Sequence, residues 1–325
     1  MKTPFKKLIV IMIIILTVGL VSGTFAAQRF LGSISKIDNE TLITTSPDME
    51  DFETDPSVKY EPTDEDLKSQ TVTPIEEEQL INILLVGQDR LNGQKRQRSD
   101  TMILCSYNSY LNEVSLISFL RDLYVTIPGG YSKNRLNAPY VFGGFPLLYS
   151  TFKENFGISV DGGVEVDFNG FQKLIDLVGG VEITLTAAEA EHVPDSKAGI
   201  NLLNGEMALS YARIRKTDSD FGRTNRQRTL LLKLFEKLRT KDAKTLTALL
   251  ETALSMVTTD MSVPEIMGLA SSLIPKLSSL KINTYAVPFE GSYKSAYINR
   301  MAVLVPNCEK IRDKLFNEYL PLKRN

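Results

Sequence analysis

Histidine is almost missing from this chain: His192 is the only one in 325 residues. A histidine-based triad or a zinc site would depend on that one side chain, and AEAEHVPDS around it reads as the polar end of a helix. Metalloprotease and triad chemistry are therefore not expected. No GxxxxGK[ST] loop occurs, which removes the usual cradle for nucleotide-driven chemistry. Cysteine is also scarce. Cys105 and Cys308 are too few for a disulfide framework. Cys105 sits in an apolar run and is expected as a buried thiol, with pairing to Cys308 as the alternative. An excess of one charge is lacking too: 37 Lys and Arg against 39 Asp and Glu give a net charge of -2. The domain is not basic, so nucleic acid is not expected as a partner.

What is present begins with a long apolar run. After the basic start at residues 1–7, LIVIMIIILTVGLVSGTFAA runs from Leu8 to Ala27 without a charge. At about 1.5 Å per residue a helix of that length spans about 30 Å, the hydrocarbon thickness of a bilayer. Lysines before it and acidic chain after it predict a single transmembrane helix with a short cytoplasmic tail and an extracellular body. A cleaved signal peptide ending near Phe25-Ala26-Ala27 is the rival. Residues 28–78, as in TSPDMEDFETDPSVKYEPTDEDLKSQ, are polar, acidic and poor in aromatics. Such a segment buries too little apolar surface to offset its ordering entropy and reads as a linker. Residues 79–325 are long enough for one large domain with its own core.

Within that domain INILLVG (81–87), TMILCSY (101–107) and EVSLISFL (113–120) follow one another through short turn-rich connections, as neighbouring antiparallel strands do. YVTIP, GVEVDF, GVEITL and KINTYAVPF are further strand candidates. Helical periodicity marks 168–178, 205–213, 224–238, 245–257 and 263–277. Mixed strands interspersed with helices predict an α/β fold, an α-β-α sandwich around a mixed central β-sheet. The C-terminal segment from Asn299 is expected to complete the core and to end in a basic terminus.

That layout would gather Asp89, Arg98, Asp100 and Arg121 at one mouth of the sheet. Two carboxylates there suit a magnesium or manganese ion, which takes few protein oxygens and completes its shell with water and substrate phosphate. RIRKTDSDFGRTNRQR (213–228) adds Arg213, Arg215, Arg223, Arg226 and Arg228 around Asp218 and Asp220. Guanidinium groups grip phosphate through paired hydrogen bonds. A solvated, salt-bridged helix face is the plain alternative. A helix beginning near Thr224, with Gly222 in the turn before it, would aim its N-terminal amides at the same anion. A lipid-borne phosphate would need an apolar channel. The aromatic-rich 140–156 and FQKLIDLVGG are candidates for it, although core packing is the favoured reading of any one of those residues.

The chain resembles the LytR-CpsA-Psr proteins, wall-glycopolymer ligases of Gram-positive bacteria. The likeness rests on NILLVGQDR, RSDTM, FLRD, RLNAPYVFGG, GGVEI, LNGEMALSYARIR and DSDFGRTNRQR, spread in order over about Ile81 to Leu232. It implies transfer of a glycopolymer, such as teichoic acid or capsular polysaccharide, from undecaprenyl pyrophosphate to the muramic acid C6 hydroxyl of peptidoglycan through a phosphodiester. It implies a membrane-anchored extracellular enzyme. By motif position Asp89 and Asp100 would bind Mg2+ or Mn2+. Arg98, Arg121, Arg213, Arg215, Arg223, Arg226 and Gln227 would bind pyrophosphate, with Arg121 also at a catalytic position. Asp220 would be the base, with Asp218 the alternative. Phe119-Leu120 replaces the family's usual Ile-Pro, and Arg135 stands where lysine is usual. A polyprenyl-pyrophosphate phosphatase and a non-catalytic carrier-binding or sensor protein are the competing functions.

Overall fold

The computed structural model describes residues 35–36, 72, 80–88, 98–215 and 220–322. The expected tail, anchor and linker fall almost wholly outside these residues. Among the described residues no helix is long and apolar enough to cross a membrane.

Thirteen strands are described: β1 Ser35–Lys36, β2 Leu80–Gln88, β3 Ser99–Asn108, β4 Glu113–Phe119, β5 Tyr124–Val125, β6 Asn134–Arg135, β7 Gly162–Asp167, β8 Val181–Leu185, β9 Gly199–Leu203, β10 Thr258–Thr259, β11 Lys281–Val287, β12 Tyr293–Ile298 and β13 Met301–Pro306. Seven of them form a sheet in the order β1-β10-β7-β2-β3-β4-β11. β2, β3 and β4 are an antiparallel meander, while β7 joins β2 and β11 joins β4 in parallel. The sheet is therefore mixed, as the sequence predicts.

Side chains alternate across a strand, so each of the central strands feeds two cores. Ile81, Ile83, Leu85, Ile103, Cys105, Val114 and Leu116 face one side. Leu84, Val86, Met102, Leu104, Ile117 and Phe119 face the other. With both faces apolar, helices must cover both. The first face carries α5 (Asp220–Leu238), α6 (Ala243–Leu254) and α7 (Val263–Leu273). The second carries α1 (Ala138–Phe156) and α8 (Cys308–Lys314). The aromatic run at 140–156 is accordingly core: Tyr140, Phe145, Phe152 and Phe156 are fully buried under the second face. Cys105 and Cys308 are both buried and not joined in a disulfide, and burial pushes both thiols up.

A third apolar cluster lies beside the sheet. It packs α2 (Phe168–Leu177) and α4 (Gly205–Ala212) against α5 and the antiparallel hairpin of β8 and β9, with the short α3 (Ala187–Ala190) between the hairpin strands. GVEITL thus forms a strand outside the main sheet. The turn into β8 uses Gly179 and Gly180 at φ +77°, a left-handed geometry that side chains disfavour. Lys237 of α5 donates to both of their carbonyls, at 2.6 and 2.7 Å. A last hairpin, β12 with β13, leans on the β4 side: Leu304 N donates to Asp122 O at 2.9 Å.

Candidate functional site

The parallel neighbours β2 and β7 end together, with Gln88 opposite Asp167, and Gly87 pairs with Thr101 at the start of β3. Arg121 follows β4 at the same edge. In open sheets the carboxyl ends of parallel strands are where ligands bind. The residues that cover this edge come from α5, which starts at Asp220, not near Thr224. Gly222 and Arg223 therefore lie within its first turn, and an acidic side chain occupies the N-terminal end that the sequence assigned to an anion.

Arg121 is the hub. Its Nη1 donates to Asp100 Oδ1 at 2.8 Å, and its Nε lies 3.7 Å from both Asp122 Oδ2 and Asp220 Oδ2. Burial works against its charge, but Asp122, Asp100 and Asp220 outweigh this and hold its pKa above the ordinary value. Arg223 Nη1 lies 3.2 Å from Asp220 Oδ1, and its side chain is only 4% exposed. Burial lowers the Arg223 pKa against the pull of Asp220. Its Nε and the Oε1 of Gln227 have no hydrogen-bond partner among the described residues. Buried polar atoms of this kind normally meet a ligand or water.

Below this mouth a cavity of about 170 Å³ runs between the sheet and the flanking helices. The sheet contributes Leu85, Gly87, Ile103, Val164 and Val166; α2 contributes Phe168, Phe171 and Leu174; α4 contributes Leu209 and Ala212; α5 contributes Leu230, Leu231 and Leu234. Asp100, Arg213, Arg215, Arg223 and Gln227 line it too. Arg213 is fixed over the Phe168 ring at 4.4 Å, a cation–π contact that keeps the guanidinium at the rim. The cavity joins an apolar interior to a cationic, hydrogen-bonding rim, which suits a ligand with a long apolar tail and an anionic head.

The structure thus brings Asp100, Arg121, Arg213, Arg215, Asp220, Arg223 and Gln227 together. Arg226 goes elsewhere: its Nη2 donates to Ile214 O at 2.6 Å and its Nη1 lies 3.6 Å from Glu189 Oε1, so it braces the approach to α5 and does not line the cavity. Arg98 lies near Arg135, whose pKa burial lowers first and Arg98 lowers further. Asp89 and Asp218 lie outside the described residues. Of the channel candidates, FQKLIDLVGG lines the cavity through Phe171, Leu174 and Ile175, while 140–156 does not.

Asp122 is the functional candidate that the sequence reading missed, although FLRD contains it. It is largely buried, lies 3.4 Å from Arg135 Nε, and is hydrogen-bonded to Asp220. Burial, and then that hydrogen bond, push its carboxyl up to about 6. Burial also opposes ionisation of Asp220, but the hydrogen bond from Asp122 and the charges of Arg223, Arg121 and Arg215 hold it below the usual carboxylate range.

The donor chemistry fits a hard cation at the mouth. Asp100 is 29% exposed and gives only Oδ1 to Arg121, leaving a carboxylate oxygen beside the anion-binding rim. Such ions need few protein carboxylates when phosphate oxygens complete the shell. Among the described residues no group of three potential ligand side chains occurs.

Comparison with known proteins matches this architecture. Regulatory protein MsrR of Staphylococcus aureus is 34% identical over 169 residues, 51% of this chain and 51% of that protein. The polyisoprenyl-teichoic acid–peptidoglycan teichoic acid transferase TagU of Enterococcus faecalis is 33% identical over 183 residues, 55% of this chain and 60% of that protein. The matched region therefore spans about half of each relative's length. The crystal structure of B. subtilis TagV covers 77% of this chain and 100% of its own at 30% identity, with a TM-score of 0.62. The LytR_cpsA_psr family model matches residues 50–317, from the acidic segment through the meander, the arginine-lined cavity and the last hairpin, and the chain belongs to the LytR_cpsA_psr family.

Proposed function

We propose that this chain transfers a wall glycopolymer from a polyprenyl pyrophosphate carrier to peptidoglycan, joining it through a phosphodiester to the muramic acid C6 hydroxyl. The observation that carries this reading is the apolar cavity that opens under Arg213, Arg215, Arg223 and Gln227. A free phosphate or nucleotide would use the rim and leave the apolar walls without a role. A simple lipid would leave the arginines in place with no anion to balance. The TagU name, a transferase from polyisoprenyl-teichoic acid to peptidoglycan, supports the same assignment.

In this mechanism the prenyl chain enters the cavity, where each covered CH2 group contributes about 0.8 kcal/mol. Arg213, Arg215 and Arg223 hold the pyrophosphate in bidentate contacts, and Arg121 is fixed by three aspartates at the same edge. These groups are aimed before the reaction begins, so they stabilise charge on the leaving phosphate without reorganising. Asp100, with Asp89, is assigned to Mg2+ or Mn2+, which would supply further neutralisation of the pyrophosphate when bound. Asp220 accepts the proton of the attacking hydroxyl. Leu8 to Ala27 is assigned as the anchor that keeps the catalytic domain outside the cell, beside both substrates.

The test mixes the full chain with a polyprenyl-pyrophosphate saccharide and peptidoglycan fragments, with and without a divalent cation, and scores products by mass. A phosphodiester-linked product that needs both the cation and Asp100 is expected. Free saccharide phosphate alone would replace this reading with a phosphatase, and tight carrier binding without product would replace it with a sensor.

A further inference from the structure

The electrostatics of Asp220 pose a problem for its role. Arg223 and Arg121 contact its carboxylate and Arg215 adds a third nearby charge, so on its own it would hold a proton weakly. A base that weak takes little of a sugar hydroxyl's proton in the transition state. The fold places a second carboxyl against it. Asp122 is anchored through its backbone, where Leu304 N of β13 donates to its carbonyl, and its side chain is held between Arg121 and Arg135. Arg135 is itself fixed, since its Nε donates to Ala302 O at 3.1 Å. Asp122 therefore cannot swing away from Asp220.

We infer that Asp122 and Asp220 act as one proton acceptor in the transfer reaction proposed above, Asp122 being the positioning carboxylate that works through Asp220. Two carboxyls in hydrogen-bond contact share a proton, and their titration belongs to the pair. The first proton leaves at low pH because the arginines favour one negative charge. The second leaves near 6, where burial and the negative neighbour both oppose ionisation of Asp122. The doubly ionised pair is thus a far better base than an isolated Asp220 among arginines.

The acceptor hydroxyl loses its proton to Asp220, where the hydrogen bond to Asp122 holds it. The hydroxyl oxygen forms a bond to the glycopolymer phosphorus, and the bond from that phosphorus to the bridging oxygen breaks. The polyprenyl phosphate leaves with the electron pair, and the carboxyl pair later releases its proton to solvent. The charged groups facing the pair are Arg121, Arg135, Arg215 and Arg223, with Asp100 acting on Arg121 and Arg98 on Arg135. Guanidinium groups as a class stay protonated at physiological pH, so an acid limb near 6 belongs to the carboxyls.

Below about pH 6 the pair holds its proton and the base is blocked; above it both carboxyls are ionised and the base is available. The wild-type rate is therefore expected to fall as pH drops through about 6. Asp122→Asn keeps the size and a hydrogen bond but cannot ionise. Its acid limb is expected to move down from about 6 toward lower pH, because Asp220 alone is held below the usual carboxylate range, with kcat at pH 7.5 about a hundred-fold lower. Affinity for polyprenyl pyrophosphate, measured without acceptor, is expected to stay within about two-fold. A variant that loses rate equally at every pH, with the limb unmoved, would overturn the inference, since that is what a merely structural Asp122 predicts.

Transfer itself stands or falls on whether the wild type makes linked product. The limb is measurable on linked product or on released saccharide phosphate, so the two failures separate. Should Asp122→Asn not fold, carboxyl titration of the wild-type protein by 13C NMR decides: one aspartate titrating near pH 6 supports the pair, and none above pH 5 overturns it.

Discussion

Arg121 Nη1 donates to Asp100 Oδ1 across 2.8 Å, tying the segment after β4 to the start of β3 at the rim of the cavity. The same guanidinium reaches Asp122 and Asp220, so one side chain sets the positions of three carboxylates. Lysine has three donors, but all on one compact nitrogen at the end of a flexible stem, and lacks the planar fork that spans these carboxylates from fixed positions. Arg121→Lys is expected to lower turnover about a hundred-fold or more, the order of losing one aimed donor. Binding of the carrier, to which Arg213, Arg215 and Arg223 are also assigned under the proposed function, should weaken by less than ten-fold. A transfer assay paired with lipid-binding measurements checks the split; equal losses in both would show that Arg121 acts only in binding.

Arg226 and Arg213 separate stability from binding. Arg226 is buried and serves Ile214 O and Glu189, while Arg213 is exposed at the rim. Arg226→Ala leaves a buried carbonyl without its donor, which costs about 1–3 kcal/mol. The melting temperature should fall by several degrees, on the order of 2–4 °C per kcal/mol. Arg213→Ala should lower the melting temperature by no more than a few degrees, since its contact with Phe168 contributes about 0.5–1 kcal/mol, and weaken carrier affinity about ten-fold or more. Calorimetry and lipid titration on both variants give the answer; a stable Arg226→Ala with lost affinity would return Arg226 to the pyrophosphate site.

Gly205 sets the spacing of two cavity walls. It opens α4, its N–H donates to Asp176 Oδ1 at 2.7 Å, and a Cβ there would sit 2.3 Å from Gln172 O of α2. Backbone oxygen cannot move aside as a side chain does, so α2 and α4 would have to part. Gly205→Ala is therefore expected to destabilise the domain by about 1–3 kcal/mol and to loosen carrier binding. An alanine variant that melts at the wild-type temperature would mean the two helices adjust freely.

Much of this arrangement is legible in the sequence where the signal is local. β2, β3 and β4 announce themselves because apolar residues fill both faces of short segments joined by turns. Arg213, Arg215 and Arg223 stand out because arginines crowd one stretch. Other features depend on contacts between distant segments. GVEITL has the residues of a sheet strand, yet it pairs locally with β9, whose GINLL carries no strong signal. The aromatics of 140–156 look excessive for one helix face, yet α1 lies under a sheet that needs a full apolar cover. The start of α5 moved from Thr224 to Asp220 because a glycine in a first turn is tolerated and does not mark a boundary there. The cavity has no motif at all: Leu85, Phe171 and Leu231 meet only through the packing of three elements. Asp122 was hidden because its partner, Asp220, lies on another element and only the fold brings them together.

The cavity makes a prediction that separates its apolar interior from its charged rim. Its walls are aliphatic and aromatic, and Ala212 stands on them at the end of α4, next to Arg213. Affinity for prenyl pyrophosphates should rise with chain length, by up to about four-fold per covered CH2 group, until the interior is filled. Ala212→Phe would occupy part of that space without touching a charge. Long-chain carriers are then expected to bind about ten-fold or more weakly, while a short isoprenyl pyrophosphate, held mainly by the arginines, keeps its affinity. Titrating a series of chain lengths against both proteins tests this directly. If wild-type affinity did not depend on chain length, the apolar cavity would not be where the carrier binds, and the observation on which the transfer reading rests would lose its force.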